Sequence, residues 1–213
     1  MFINKCLFGD NMAQDIFDID SLDSVVREHF RRERVINLTD FDVPTYVVTP
    51  TYTKLEFGLS TDRTEYARQI RKKIEPIVRE AESQGYNPNF FTALYETVLN
   101  AHQHGNKMDA SKKVTLTYKI AADTLEISVI DQGGVLNPEF IPFVLRHKEG
   151  RHRERMLDFY EFIGMPKPAT NNGTGTSFMH TYVDKVQYFK SEQGGLVVHL
   201  TINNPITRTN QDN

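Results

Sequence analysis

Three short stretches of this 213-residue chain carry residue types that do chemistry. In "ETVLNAHQHGN", Glu96, Asn100 and His104 recur every fourth residue. That spacing stacks side chains on successive turns along one side of a helix. An acid, an amide and an imidazole are thus set in register on a helix whose core face is Leu94, Val98 and Leu99. An amide oxygen can complete the shell of a hydrated Mg²⁺. In "VIDQGG", Asp131 stands where an apolar strand runs out, and a carboxylate there can accept from the amino group of a base. In "NNGTGTSFMHTYVDKV", Gly173 and Gly175 lead into a helix with Phe178, Met179, Tyr182 and Val183 as its apolar residues. Glycines let backbone N–H groups approach an anion, and the helix N-terminus adds its positive end.

Taken singly, each stretch has an ordinary explanation. An Asp after a strand usually serves a turn, Gly-Gly is common turn chemistry, and His104 before Gly105 suits the last turn of a helix. What gives the set meaning is its order and the elements that carry it. "KLEFGLS" alternates as a half-buried strand. "STDRTEYARQIRKKIEPIVREAESQG" predicts a long helix, with capping-box spacing at Asp62 and Glu65 and apolar Tyr66, Ile70, Ile74, Ile77 and Ala81. Pro76 predicts a kink or broken turn within it, and Gly85 ends it. Asn87-Pro88 opens the helix of the first stretch. "KKVTLTYKI" and "LEISVIDQGG" form a strand–turn–strand unit, and "KVQYFKS" with "LVVHLTIN" forms a second hairpin. Between them, 135–172 reads as a long segment without clear strands. The fold class is therefore α+β: a two-layer sandwich with a mainly antiparallel sheet and helices on one face.

The first 45 residues differ from the rest. "SLDSVVREHFRRERV" predicts a short amphipathic helix between acidic flanks, too small to make a core alone. We expect a helical extension over 1–45, a main domain over 46–205 with a lid at about 135–172, and a flexible tail over 206–213. Lys and Arg number 25 against 28 Asp and Glu, a formal net charge of −3, which argues against direct nucleic-acid binding. The lone Cys6 excludes an internal disulfide and favours a reducing, cytoplasmic setting. No apolar run approaches the roughly 20 residues that span a bilayer, and the start lacks the apolar stretch of a secretory signal.

The three stretches together resemble the ATP-binding domain shared by gyrase, a heat-shock chaperone family, histidine kinases and the MutL repair proteins, the GHKL superfamily. "EtvlNAhqHG" is similar to its N box, "viDqGG" to its first glycine box and "GtGtsfmhtyvDkV" to its second. The pattern fits the anti-sigma-factor serine/threonine kinases best, at Glu96, Asn100, Ala101, His104 and Gly105 and again at Gly173, Gly175, Asp184 and Val186. The resemblance implies a Bergerat-type fold that binds ATP and Mg²⁺. It implies that Asn100 ligates the metal, that Glu96 is the general base, and that His104 belongs to the ATP site. Asp131 would read adenine, with Gly133 making room for the ring. Gly173, Gly175 and the amides of Thr176 and Ser177 would cradle phosphate. Two departures stand out: Val135 where a further glycine is usual, and Thr176 where Leu is common. The lid carries Arg146, Lys148, Arg151, Arg153 and Arg155 as candidate γ-phosphate contacts.

The gyrase-, chaperone- and MutL-type ATPases use a second domain, and this sequence ends soon after its last strand. Sensor histidine kinases use a phosphorylated histidine in a helical hairpin. His29 sits in a helical stretch, but no proline-ended H-box follows it. The expected function is thus a protein-serine/threonine kinase of the anti-sigma type, which binds Mg·ATP, holds a partner such as a sigma-factor-like protein and phosphorylates a small antagonist. The alternative is an ATP-gated protein-binding switch without phosphotransfer, or a weak ATPase. By analogy with the family, "YVVTPTYTKLEFG" offers an edge strand for a homodimer.

Overall fold

A computed structural model describes residues 13–18, 35–169 and 173–204. The predicted helix at 21–35 (apart from Val35) and the tail at 206–213 lie outside the described residues. The elements run β1 (Ile36–Asn37), β2 (Thr53–Gly58), α1 (Arg63–Ser83), α2 (Phe90–Asn100), β3 (Lys113–Ile120), β4 (Thr124–Ile130), β5 (Val135–Leu136), α3 (Phe140–Lys148), α4 (Phe159–Phe162), α5 (Gly175–Tyr182), β6 (Lys185–Lys190) and β7 (Leu196–Asn203). Five strands form one sheet in the order β2-β3-β4-β7-β6, with every neighbouring pair antiparallel. Strand alternation sends Leu125, Ile127 and Val129 of β4 and Val198, Leu200 and Ile202 of β7 into the main core. The helices supply its other layer, so the two-layer α/β sandwich read from the sequence is the fold.

Local signals explain the helices that the pattern predicted. Asp62 caps α1 by accepting the Glu65 N–H at 2.9 Å. Tyr66, Ile70, Ile74, Ile77 and Ala81 are all buried. Pro76 does not break the helix, which runs continuously from Arg63 to Ser83. The carbonyl that Pro76 leaves without its usual partner belongs to Lys72, an exposed residue, so the loss falls on the solvent side of the helix rather than in the core. Gly85 then turns the chain at φ +94°.

The segment 135–172 is more ordered than its sequence suggests. Val135 and Leu136 pair with Asn37 and Ile36, and α3 buries Ile141, Phe143, Val144 and His147. Pro142 hides this helix from a periodicity reading, yet in the first turn its missing N–H costs nothing. Residues from the chain's start hold the segment down. Ile16, Phe17, Ile36, Leu38 and Phe41 are all buried in the main core. Phe17 lies between Tyr188 on β6 and Phe140 on α3, with ring centres 4.9 and 6.1 Å away. Lys148 reaches Asp15 at 2.9 Å, and the Leu38 N–H donates to the Gly134 carbonyl at 2.9 Å.

Candidate functional site

Helix α2 buries Phe90, Ala93, Leu94, Thr97 and Val98, which leaves Glu96 and Asn100 half-buried on the opposite side. The α-helical ladder stops at Asn100. Residues Ala101–Gly105 form a π turn, closed by the Asn106 N–H donating to Ala101 O at 2.8 Å. The regular helix expected through His104 is therefore widened by one turn, a feature that clusters at functional sites. His104 is exposed. His102 is the buried imidazole of this turn, bonded through Nε2 to the Ser60 carbonyl at 2.9 Å.

Asp131 follows β4 and is 5% exposed. Its Oδ1 accepts the Gly133 N–H at 2.8 Å and the Leu196 N–H at 3.0 Å. Three glycines close on it. A Cβ on Gly105 would overlap the Asp131 carboxylate, one on Gly133 would overlap the Gly105 carbonyl, and one on Gly195 would overlap the Asp131 carbonyl. Gly195 belongs to the β6–β7 turn and reads in the sequence as ordinary turn chemistry; only the fold shows that Asp131 requires it. Burial pushes the Asp131 carboxyl up to about 6, against the opposing pull of the two N–H donors and of Lys112 and Lys107.

The second glycine box meets the N box directly. A Cβ on Gly175, the first residue of α5, would lie 2.6 Å from Glu96 Oε2 and 3.5 Å from Asn100 Nδ2. The side chains of Glu96 and Asn100 make no hydrogen bond among the described residues, and burial raises the Glu96 pKa. Gly173 sits at φ +69°, with the Asp158 carboxylate and the Tyr160 ring where a side chain would begin. Thr176 and Ser177 are buried in the first turn of α5.

A family model described as a histidine kinase-like ATPase domain matches residues 61–202. That span contains all three converging motifs. The chain belongs to this family. A search of curated proteins gave no match.

Membership in the histidine kinase-like ATPase family supports ATP binding. In this domain the Ser177 hydroxyl is committed to the segment 135–172. It donates to Leu157 O at 2.7 Å, accepts the Leu157 N–H at 3.1 Å, and contacts His147 Nε2 at 2.9 Å. Behind it His147, His152 and His180 cluster with ring centres 5.1 to 5.5 Å apart. Burial pushes His147 down to about 4 and His180 down to about 2, so both are neutral at neutral pH. Among the described residues no group of His, Cys, Asp or Glu is arranged to hold a metal by itself. Of the basic run in 146–155, Lys148 pairs with Asp15, Arg151 with Glu154 at 3.4 Å and Arg155 with Glu161 at 3.6 Å. No described helix is long and apolar enough to cross a membrane.

Proposed function

We propose that this domain binds Mg·ATP in the cleft bounded by α2, Asp131 and the start of α5, and acts as a protein-serine/threonine kinase of the anti-sigma type. The observation that carries the reading is the approach of Gly175 to Glu96 and Asn100. It sets a carboxylate and an amide with no hydrogen-bond partner among the described residues beside a helix N-terminus whose first N–H groups can be offered to phosphate. These residues suit the ligand: the Cβ that Gly175 lacks leaves room beside both side chains. Asn100 would hold Mg²⁺ through its amide oxygen, and the ion would neutralise charge on the triphosphate. Glu96 would take the proton from the attacking serine or threonine hydroxyl, and burial, by raising its pKa, makes it a better base than an exposed glutamate. Asp131 would accept from the adenine amine, with Gly133 beside the ring. Gly173, Gly175 and the amides of Thr176 and Ser177 would line the phosphates, with His104 at the rim.

The protein partner on this reading is a small antagonist that carries the acceptor hydroxyl, or a sigma-factor-like protein held on the surface. Incubation with labelled ATP and cell lysate tests it directly. A second protein labelled on serine or threonine, lost when Glu96 is replaced by Gln, supports phosphotransfer. One observation favours the alternative: the cradle helix is wired to the lid through Ser177, as an ATP-gated binding surface requires. ATP-dependent capture of a partner that never becomes labelled selects that switch.

A further inference from the structure

Asn106, the residue after the π turn, has its N–H, its carbonyl and both side-chain polar atoms hydrogen-bonded, and its side chain fastens three parts of the chain. It is 1% exposed. Its N–H closes the π turn on Ala101 O at 2.8 Å. Its Nδ2 donates to Lys113 O at 3.0 Å, and its Oδ1 accepts the Gln132 N–H at 2.7 Å. The Gln132 side chain completes the circuit by accepting the Lys113 N–H at 2.8 Å. Asn106, Lys113 and Gln132 thus form a closed ring joining the end of α2, the start of β3 and the residue next to Asp131.

The backbone around this ring is under strain. Lys107 and Met108 follow one another at φ 57° and 55°, a left-handed conformation that side chains resist and that persists only where surrounding contacts enforce it. Next to Asn106 on the other side is Gly105, whose Cα abuts the Asp131 carboxylate and whose carbonyl abuts Gly133. Asn106 is therefore the bolt that keeps the wall of the base-reading pocket against its carboxylate.

We infer that Asn106 is a positioning residue for nucleotide-base selection, acting through Asp131. The inference rests on the reading of Asp131 as the acceptor for the adenine amine. Adenine offers that carboxylate a donor, whereas guanine offers a carbonyl oxygen that it repels. The distinction is sharp only while the carboxylate is held at one distance. Freed from the ring, the 105–108 segment relaxes, the carboxylate turns, and water fills the gap between it and guanine. A residue that served stability alone would weaken both purine nucleotides in proportion.

The test is titration of the full chain with ATP, GTP and inorganic tripolyphosphate, each with Mg²⁺, well below the melting temperature. Wild-type preference for ATP over GTP checks the Asp131 reading by itself, and its absence removes that reading and this inference together. Given that preference, Asn106→Ala lowers the ATP-to-GTP affinity ratio by about tenfold, the order expected when a polar reading group is mispositioned. Gln132→Ala, at an exposed side chain, breaks only one link and lowers the ratio less, in the same direction. Tripolyphosphate affinity stays at the wild-type value in both, because Glu96, Asn100 and Gly175 lie outside the ring. Where Asn106→Ala does not fold, Gln132→Ala and Asn106→Asp decide. An ATP-to-GTP ratio unchanged in the folded variants overturns the inference.

Discussion

Around Asp131 the protein packs closely. One carboxylate oxygen holds two backbone N–H groups, three glycines press in where no Cβ fits, and Asn106 bolts the wall from behind. Around Glu96 and Asn100 the situation is reversed, because neither side chain has a hydrogen-bond partner among the described residues. A Cβ on Gly175 would lie 2.6 Å from Glu96 Oε2. One end of the cleft is held by internal hydrogen bonds, and the other has none among the described residues. On the proposed reading, the difference follows from what each end would meet. A base presents a fixed hydrogen-bond pattern that rewards a rigid acceptor, whereas a triphosphate brings its own charge, metal and hydration. The segment 135–172 is tied to α5 through the Ser177 hydroxyl and through the contacts of His180 with His147 and His152.

The largest expected effect is at the open end. Glu96→Gln keeps the shape and removes the base, so turnover falls by about 10²–10⁴-fold while ATP affinity stays nearly unchanged. Single-turnover ATP consumption beside a nucleotide titration measures both, and wild-type turnover in the variant would remove Glu96 from the chemistry. Asn100→Ala lowers Mg·ATP affinity at least about tenfold, roughly 1.4 kcal/mol. Chelating the metal abolishes the gap between variant and wild type. A gap that survives chelation assigns Asn100 a contact other than the metal.

The closed end has a pH signature. The Asp131 carboxyl, raised to about 6, is protonated in the free protein as pH falls through that value. Its contribution to the free protein's stability is present below the ordinary carboxylate range and is lost as pH rises through about 6. Adenine needs the ionised form, so ATP affinity runs the other way and rises from about pH 5 to about pH 7. Asp131→Asn keeps an acceptor oxygen but cannot titrate, so the difference between its profile and the wild-type profile isolates this group from the phosphates. Parallel profiles would mean that Asp131 does not meet the base. The smallest effect on nucleotide binding is at the junction of the two regions. Ser177→Ala leaves the Leu157 N–H and carbonyl without their partner and costs about 1–3 kcal/mol. Hydrogen exchange around Leu157 quickens, while ATP affinity changes by less than the Asn100 variant shows. Unchanged exchange there would dissolve the link between lid and cradle.

The sequence was most legible where the controlling forces are local. The Tyr66-to-Ala81 stripe and the Asp62 cap act within a few turns of α1, and both appear as the pattern implied. The lid was not legible, because the apolar side of α3 packs against Phe17, far away in the chain, and because Pro142 and the following charges mask its period. A two-residue pairing such as β1 with β5 leaves no periodic trace at all. The π turn was hidden for a related reason, since its residues are those of any helix end and only the bond to Ala101 distinguishes it.

What the sequence determined alone is the set of parts. The helical pitch places Glu96 one turn before Asn100, strand alternation gives each strand a core face, and the three boxes supply glycines with an acid, an amide and a helix start. What the tertiary structure decided is which parts touch. Gly175 meets Glu96, Gly105 and Gly195 enclose Asp131, Ser177 turns from the cleft to the lid, and Asn106 ties three segments together. Pitch and alternation follow from backbone geometry within a single segment. Close approach between distant segments depends on how the whole core packs, and no local window of residues contains that information.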